Sequence, residues 1–182
     1  MIQTKNELKL YLRKDREVNV GGGKYLLIRR LLKSEPALVY HYLTHLRRYE
    51  YYSNQRGIFY RICGLYHNIR LRRLGTEYNI HIKPNRCGYG LRITHIAGGV
   101  IIYCKSVGNY CTFNSGVILG NNKKNDDTPT IGDNCVINPG VKIFGDVTIG
   151  NNSEVGANAV VTKSFPENSI IAGVPARLIR SK

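Results

Sequence analysis

Few side chains in this sequence are spaced for chemistry. His41 and His45 lie four apart, a spacing that puts two imidazoles on one side of a helix, where they could share a metal. The residues between them are Tyr42, Leu43 and Thr44, so the HExxH pattern is absent, and no carboxylate offers itself as third ligand; no metal is expected. The five cysteines form no CxxC or CxxH pair. Cys63, Cys87 and Cys104 have no company that would activate a thiolate. Gly21-Gly22-Gly23 lacks a following Lys-Ser/Thr and reads as a turn, not a phosphate loop. His95 stands alone between Gly90 and Gly98-Gly99, and an isolated histidine is ordinarily structural. A polar run over 121–130, NNKKNDDTPT, brings two carboxylates, Asp126 and Asp127, that could meet a ligand or only solvent.

The elements that position these groups follow from a six-residue period. Ile101, Val107, Phe113 and Leu119 recur every sixth residue, and the count resumes at Ile131, Ile137, Ile143, Ile149, Val155 and Val161. The fourth residue after each is mostly small or β-branched: Cys111, Val117, Cys135, Val141, Val147, Ser153, Ala159. This is the pattern of a hexapeptide β-helix. Three hexads close a triangular coil of about 18 residues, and coils stack as parallel strands roughly 4.8 Å apart. Both columns point inward, so Cys111 and Cys135 read as core. Glycine after the aliphatic residue suits a bend. The fold class is therefore mainly β, a parallel β-helix of about five coils. The run 121–130 supplies no aliphatic at 125 and should be extruded as a loop. Counting back from Ile101 puts His95 in the inward column, but Gly98-Gly99 is expected to shift that frame.

The net charge of +15 is uneven: residues 1–92 hold 19 Lys+Arg against 6 Asp+Glu, and residues 93–182 hold 8 against 6. Nine of thirteen tyrosines fall in residues 1–66. Tyrosine interleaved with arginine could stack on bases or face the inside of packed helices, and the second is the expectation. Residues 1–76 read as a helical segment. It comprises a charged stretch over 1–20, a possible helix over 24–33, and a helix starting at Ser34-Glu35-Pro36 and running to about Tyr49. In the last of these, Leu38, Tyr42, Leu43 and Leu46 share one face. A further helix runs from a cap at Ser53 to about Leu74, with Ile58, Ile62, Leu65, Ile69 and Leu74 near helical spacing and Gly75 as stop. Residues 77–174 form the β-helix, and 175–182 a short tail. Tail and helices are expected to cover the two ends of the stack. The polar N-terminus and free thiols predict a cytoplasmic chain without signal peptide or membrane span.

The sequence resembles the hexapeptide-repeat acyltransferases, within them the serine acetyltransferase-like branch. The residues that carry this are Gly90-Leu91-Arg92-Ile93-Thr94-His95 followed by Gly98-Gly99-Val100-Ile101. To these add the run from Ile131-Gly132-Asp133-Asn134 to Ala157-Asn158-Ala159-Val160-Val161, and Ala172-Gly173-Val174-Pro175-Ala176-Arg177. The resemblance implies a left-handed helix, a homotrimer in which pairing of two trimers is left open, and acetyl-CoA held between coils. It implies His95 as general base, taking a hydroxyl proton as the oxygen attacks a thioester. It implies Gly140, Ala157 and Ala159 against the pantetheine arm and Lys163 and Arg177 against the CoA phosphates.

Two departures bear on the acceptor. Serine acetyltransferases place Asp before the catalytic His, where this chain has Thr94. They carry Arg-His-Pro where this chain has Asp127-Thr128-Pro129. The pattern resembles more closely the O-acetyltransferases of capsule and exopolysaccharide clusters. The expectation is therefore transfer to a sugar or polysaccharide hydroxyl, with Thr94, Asp126 and Asp127 against the acceptor. The alternative is L-serine as acceptor, feeding cysteine synthesis. A third reading is a non-enzymatic module binding nucleic acid or membrane through the basic helices. Nucleic acid is not expected, and the basic helices could make an accessory contact with a membrane surface.

Overall fold

The computed structural model describes residues 1–21, 31–121 and 127–182. The expected helix over 24–33 falls mostly outside the described residues, as do the centre of the polar loop and Asp126.

Helix α1 (Lys5–Asn19) opens on a capping box: Thr4 Oγ1 accepts the Glu7 N–H at 3.1 Å, and the Glu7 carboxylate accepts the Thr4 N–H at 2.9 Å. Helix α2 (Glu35–Ser53) has Pro36 in its first turn, where a missing N–H costs nothing. Its predicted inner residues Tyr42, Leu43 and Leu46 are buried. Helix α3 (Ile58–Tyr78) starts after Gly57, not Ser53, and runs past Gly75 to Asn79, whose left-handed φ of 56° ends it. Gly75 sits inside the helix because the chain returns against it: a Cβ there would lie 2.9 Å from the Ile80 carbonyl oxygen. Leu74 is buried, but Ile58, Ile62, Leu65 and Ile69 face out.

The strands form a prism with three faces. Face A stacks β1 (Ile80–Ile82), β3 (Val100–Ile102), β6 (Val117–Gly120), β9 (Lys142–Phe144) and β12 (Val160–Val161). Face B stacks β4 (Ser106–Val107), β7 (Thr130–Ile131) and β10 (Thr148–Ile149), and isolated bridges at Cys87 and Phe165 lengthen it at both ends. Face C stacks β2 (Arg92–Ile93), β5 (Thr112–Phe113), β8 (Val136–Ile137), β11 (Glu154–Val155) and β13 (Ser169–Ala172). All these pairings are parallel; only β14 (Arg177–Ser181) returns antiparallel on β13. Five strands in face A make four full turns, with the chain running on to a partial fifth.

The inward column is as expected from Val107 to Val161, each member at most 4% exposed, and the small column is buried beside it. Ile101 breaks the frame. It is 38% exposed, while Val100 and Ile102 point in and register with Val117 and Leu119. The frame slips by one residue between Ile102 and Val107, so the coil carrying His95 is out of step with those that follow. Glycines after the aliphatic column serve close approach, not unusual φ. A Cβ on Gly108 would come 2.6 Å from the Asp133 backbone nitrogen of the next coil. The left-handed bends are made two residues later, by Tyr110, Asn134, Asn152 and Asn158.

Arg47 joins helices to prism. Its side chain, fully buried, donates to Asp15 Oδ2 at 2.8 Å, Glu50 Oε2 at 3.1 Å and the carbonyls of Cys87 and Gly88 at 2.8 and 2.6 Å. Burial alone would lower the guanidinium's pKa, but the two carboxylates outweigh it and hold it above the ordinary value. Asp15 Oδ1 in turn accepts the Leu91 N–H at 2.9 Å, and Glu50 Oε1 the Asn85 N–H at 2.7 Å. One cation thereby fixes α1 and α2 to the first coil.

Candidate active site

The candidate site begins with the end of α1. Asn19 donates to the Leu91 carbonyl at 2.7 Å and accepts the Ile93 N–H at 3.2 Å, so α1 grips the exposed edge of β2. On its other side β2 is held by β5, and Thr94 N–H donates to the Phe113 carbonyl at 3.0 Å. The Thr94 hydroxyl donates to Asn114 Oδ1, whose amide nitrogen is anchored on the Ile137 carbonyl at 3.1 Å. Thr94 is therefore spent on the corner.

His95 follows in the left-handed region, φ 58°, and leads into a 3-10 turn over Ile96–Gly98. This turn carries the chain from face C to face A and throws the imidazole outward. Its side chain is 77% exposed, so the inward placement obtained by counting back from Ile101 does not hold. Gly98 N–H donates to Ser115 Oγ at 2.8 Å and locks the turn onto the next coil.

Sequence reasoning missed Glu35. It begins α2, one carboxylate oxygen accepts the Ile96 N–H, and the other lies 3.9 Å from His95 Nδ1. That separation is too long for a hydrogen bond, but an Nδ1–H turned toward this carboxylate would leave Nε2 to accept a proton. Glu35 had a visible signal, an acid just after Ser34 at a helix start, but nothing in sequence ties it to a residue 60 positions on. Asn19, Glu35, Pro36, Arg92, Ile93, Thr94 and His95 line one cavity of about 230 Å³.

The other candidates fall on two corners of the prism. Gly140 and Ala157 lie in turns from face C to face A, the same column of corners as His95. Gly140 has φ 76° and abuts Asn158 of the next coil, with no room for a Cβ. Ala157 is exposed on its turn. Ala159 is fully buried, its N–H donating to Gly156 and its carbonyl accepting from Lys142, so it offers no free group to a ligand. Asp127 and Lys163 lie in the turns from face A to face B, a different corner, with the Lys163 ammonium 5.6 Å from the Phe165 ring. Arg177 is exposed on β14 of face C. Within one chain His95 and Asp127 are thus a whole face apart.

His41 and His45 do share a helix side, rings 5.1 Å apart, but the ring that meets them is another histidine: His45 Nδ1 lies 2.9 Å from His67 Nδ1. Burial, then the neighbouring His67, His41, Arg70 and Arg48, lowers His45 to about 4. Burial and Arg48 lower His67 to about 4. These rings pack α2 on α3 in neutral form. No group of three or more potential ligands is placed to hold a metal among the described residues. All five cysteines are unbridged. No described helix is long and apolar enough to cross a membrane.

Residues 128–163 match the family described as bacterial transferase hexapeptide, six repeats. Over these residues the chain is similar to the bacterial hexapeptide transferases. A serine acetyltransferase of Synechococcus elongatus is 38% identical over 111 residues, 60% of this chain and 45% of that protein. One from Staphylococcus epidermidis is 33% identical over 141 residues, 76% of this chain and 63% of that one. The chain thus spans roughly half to just under two thirds of the length of these curated relatives. The crystal structure of serine acetyltransferase from Brucella abortus strain S19 superposes with a TM-score of 0.72 at 25% identity, covering 97% of this chain and 70% of that one. The shared fold is the left-handed β-helix of these acetyltransferases. These relatives overturn the expectation of a sugar or polysaccharide acceptor, since both curated proteins are serine acetyltransferases and neither is a capsule enzyme. The expectation rested on Thr94 and on Asp127-Thr128-Pro129, two local departures that the likeness of the remaining chain outweighs.

Proposed function

We propose that this chain is a serine O-acetyltransferase that uses acetyl-CoA, with His95 as general base. The observation that carries the reading is the outward imidazole of His95, seated beside Glu35 in a cavity, on a repeat region whose relatives are serine acetyltransferases. Nε2 takes the serine hydroxyl proton as that oxygen attacks the thioester carbonyl. The tetrahedral intermediate collapses, the C–S bond breaks, and the departing thiolate takes the proton back from the imidazolium. The products are O-acetylserine and CoA.

Glu35 holds the imidazole, and Arg92, the one guanidinium lining the cavity, takes the serine carboxylate. This replaces the Arg-His-Pro element that the chain lacks. Pantetheine runs along the corner of Gly140 and Ala157. Lys163, on the neighbouring corner, reaches the CoA phosphates from an adjacent copy, which fits a homotrimer with its sites between subunits. Asp127 reaches the acceptor by the same route.

The test is thiol release from acetyl-CoA with L-serine. His95→Ala is expected to lower kcat by about 10²–10⁴ with oligomer size unchanged. Normal turnover in that variant, or no thiol release by the unaltered chain, rejects the reading. Glu35→Gln keeps the Ile96 hydrogen bond but removes the charge beside the imidazole, and is expected to lower kcat about tenfold, about 1.4 kcal/mol of barrier, with KM for acetyl-CoA unchanged. An unchanged kcat would remove Glu35 from the mechanism.

A further inference from the structure

Helix α3 is apolar on both sides. Gly64, His67, Leu71, Leu74 and Tyr78 face the protein. Ile58, Ile62, Leu65 and Ile69, spaced four, three and four, form an outward stripe that Phe59 and Tyr66 widen. Ile58, Ile62 and Leu65 are 73, 63 and 60% exposed. A helix face so built is costly in water and asks for a cover.

Two covers suit an apolar stripe, a second copy of it or a lipid surface, and charge separates them. Arg61, Arg72 and Arg73 stand exposed along the same outward face. Glu77 is the one acidic residue of the helix. Two copies would each bring three exposed cations and one carboxylate. A surface of anionic headgroups meets every cation, and the half of the chain around α3 is strongly basic throughout.

We propose that the outward face of α3 docks on anionic lipid. The helix lies in the plane of the interface, with Ile58, Ile62, Leu65 and Ile69 entering the acyl boundary. Phe59 and Tyr66 sit at headgroup level, and Arg61, Arg72 and Arg73 bind phosphates. This is independent of the reaction at His95, whose cavity no residue of α3 lines.

The test is flotation of the full chain with vesicles of phosphatidylglycerol mixed with phosphatidylcholine, against phosphatidylcholine alone. Binding is expected on the anionic vesicles only, and to fall as salt rises. Ile62→Asp with Leu65→Asp should abolish it. Arg72→Ala with Arg73→Ala should weaken it about 25-fold, at about fivefold per arginine. Both pairs are exposed, and circular dichroism checks the fold. Should the aspartate pair fail to fold, Phe59→Ser with Leu65→Ser replaces it. No flotation of the unaltered chain overturns the proposal, and so does flotation that survives the stripe variants. A smaller oligomer by light scattering in those variants also overturns it, and assigns the face to a second copy.

Discussion

The prism and helix α3 use the same residues to opposite ends. In the prism, isoleucine, valine and phenylalanine at every sixth position are sealed inside, and none of the described charged residues of the repeats is buried. In α3, isoleucine and leucine at helical spacing are outside, and the inward side is built from Gly64, His67, Leu71 and Tyr78. Apolar periodicity therefore names a face without saying which way it points. In a coil the interior is defined by the closure of the chain itself. On a helix the direction is set by whatever the neighbours offer, and α2 offers α3 aromatic and imidazole rings.

The contrast can be broken at the joint between the two regions. Arg47→Ala leaves Asp15 and Glu50 buried without their cation and should cost about 3–5 kcal/mol, read by denaturant unfolding. A loss under ~1 kcal/mol would mean that the helices are held by packing alone. Ile143→Ala and Ile62→Ala sharpen the contrast. The first opens a cavity in the sealed column and should cost about 2–5 kcal/mol. The second, on the outward stripe, should stay within about 0.5 kcal/mol. Equal losses would show that the outward stripe is covered in the free protein.

Another effect is one of pH. His45 and His67 are held neutral, near 4, where an unfolded chain has them near 6.5. Between those values the unfolded state binds the extra protons. Stability from these two groups is complete above pH 6.5 and is lost as pH falls toward 4, with a slope of up to two protons. Replacing both with glutamine should flatten the acid limb over that window. An unchanged limb would place the titration elsewhere.

The repeat and its small column could be read from the chain because each hexad makes its own strand and bend. Ile101 could not be placed, because the frame slips in the first coils, where helices replace a preceding coil as packing partner. Ser53 looked like a cap, but the helix breaks at Gly57, where a φ of 117° favours glycine. Of the residues lining the cavity, Thr94 and His95 stand out in the sequence, and Glu35 and Asn19 do not. Glu35 and Asn19 reach it through the docking of α1 and α2, which depends on Arg47 meeting two carboxylates and two carbonyls far apart in sequence.

Strand β14 has a consequence for the chain's solubility. A stack of parallel rungs ends in a row of unsatisfied amides and carbonyls on which another molecule could add its own first rung. By doubling back on β13, the closing residues occupy that row on face C and present Arg177, Arg180 and Lys182 in its place. On face C a newcomer would meet reversed polarity and the charges of Arg177 and Arg180, so parallel addition is refused there.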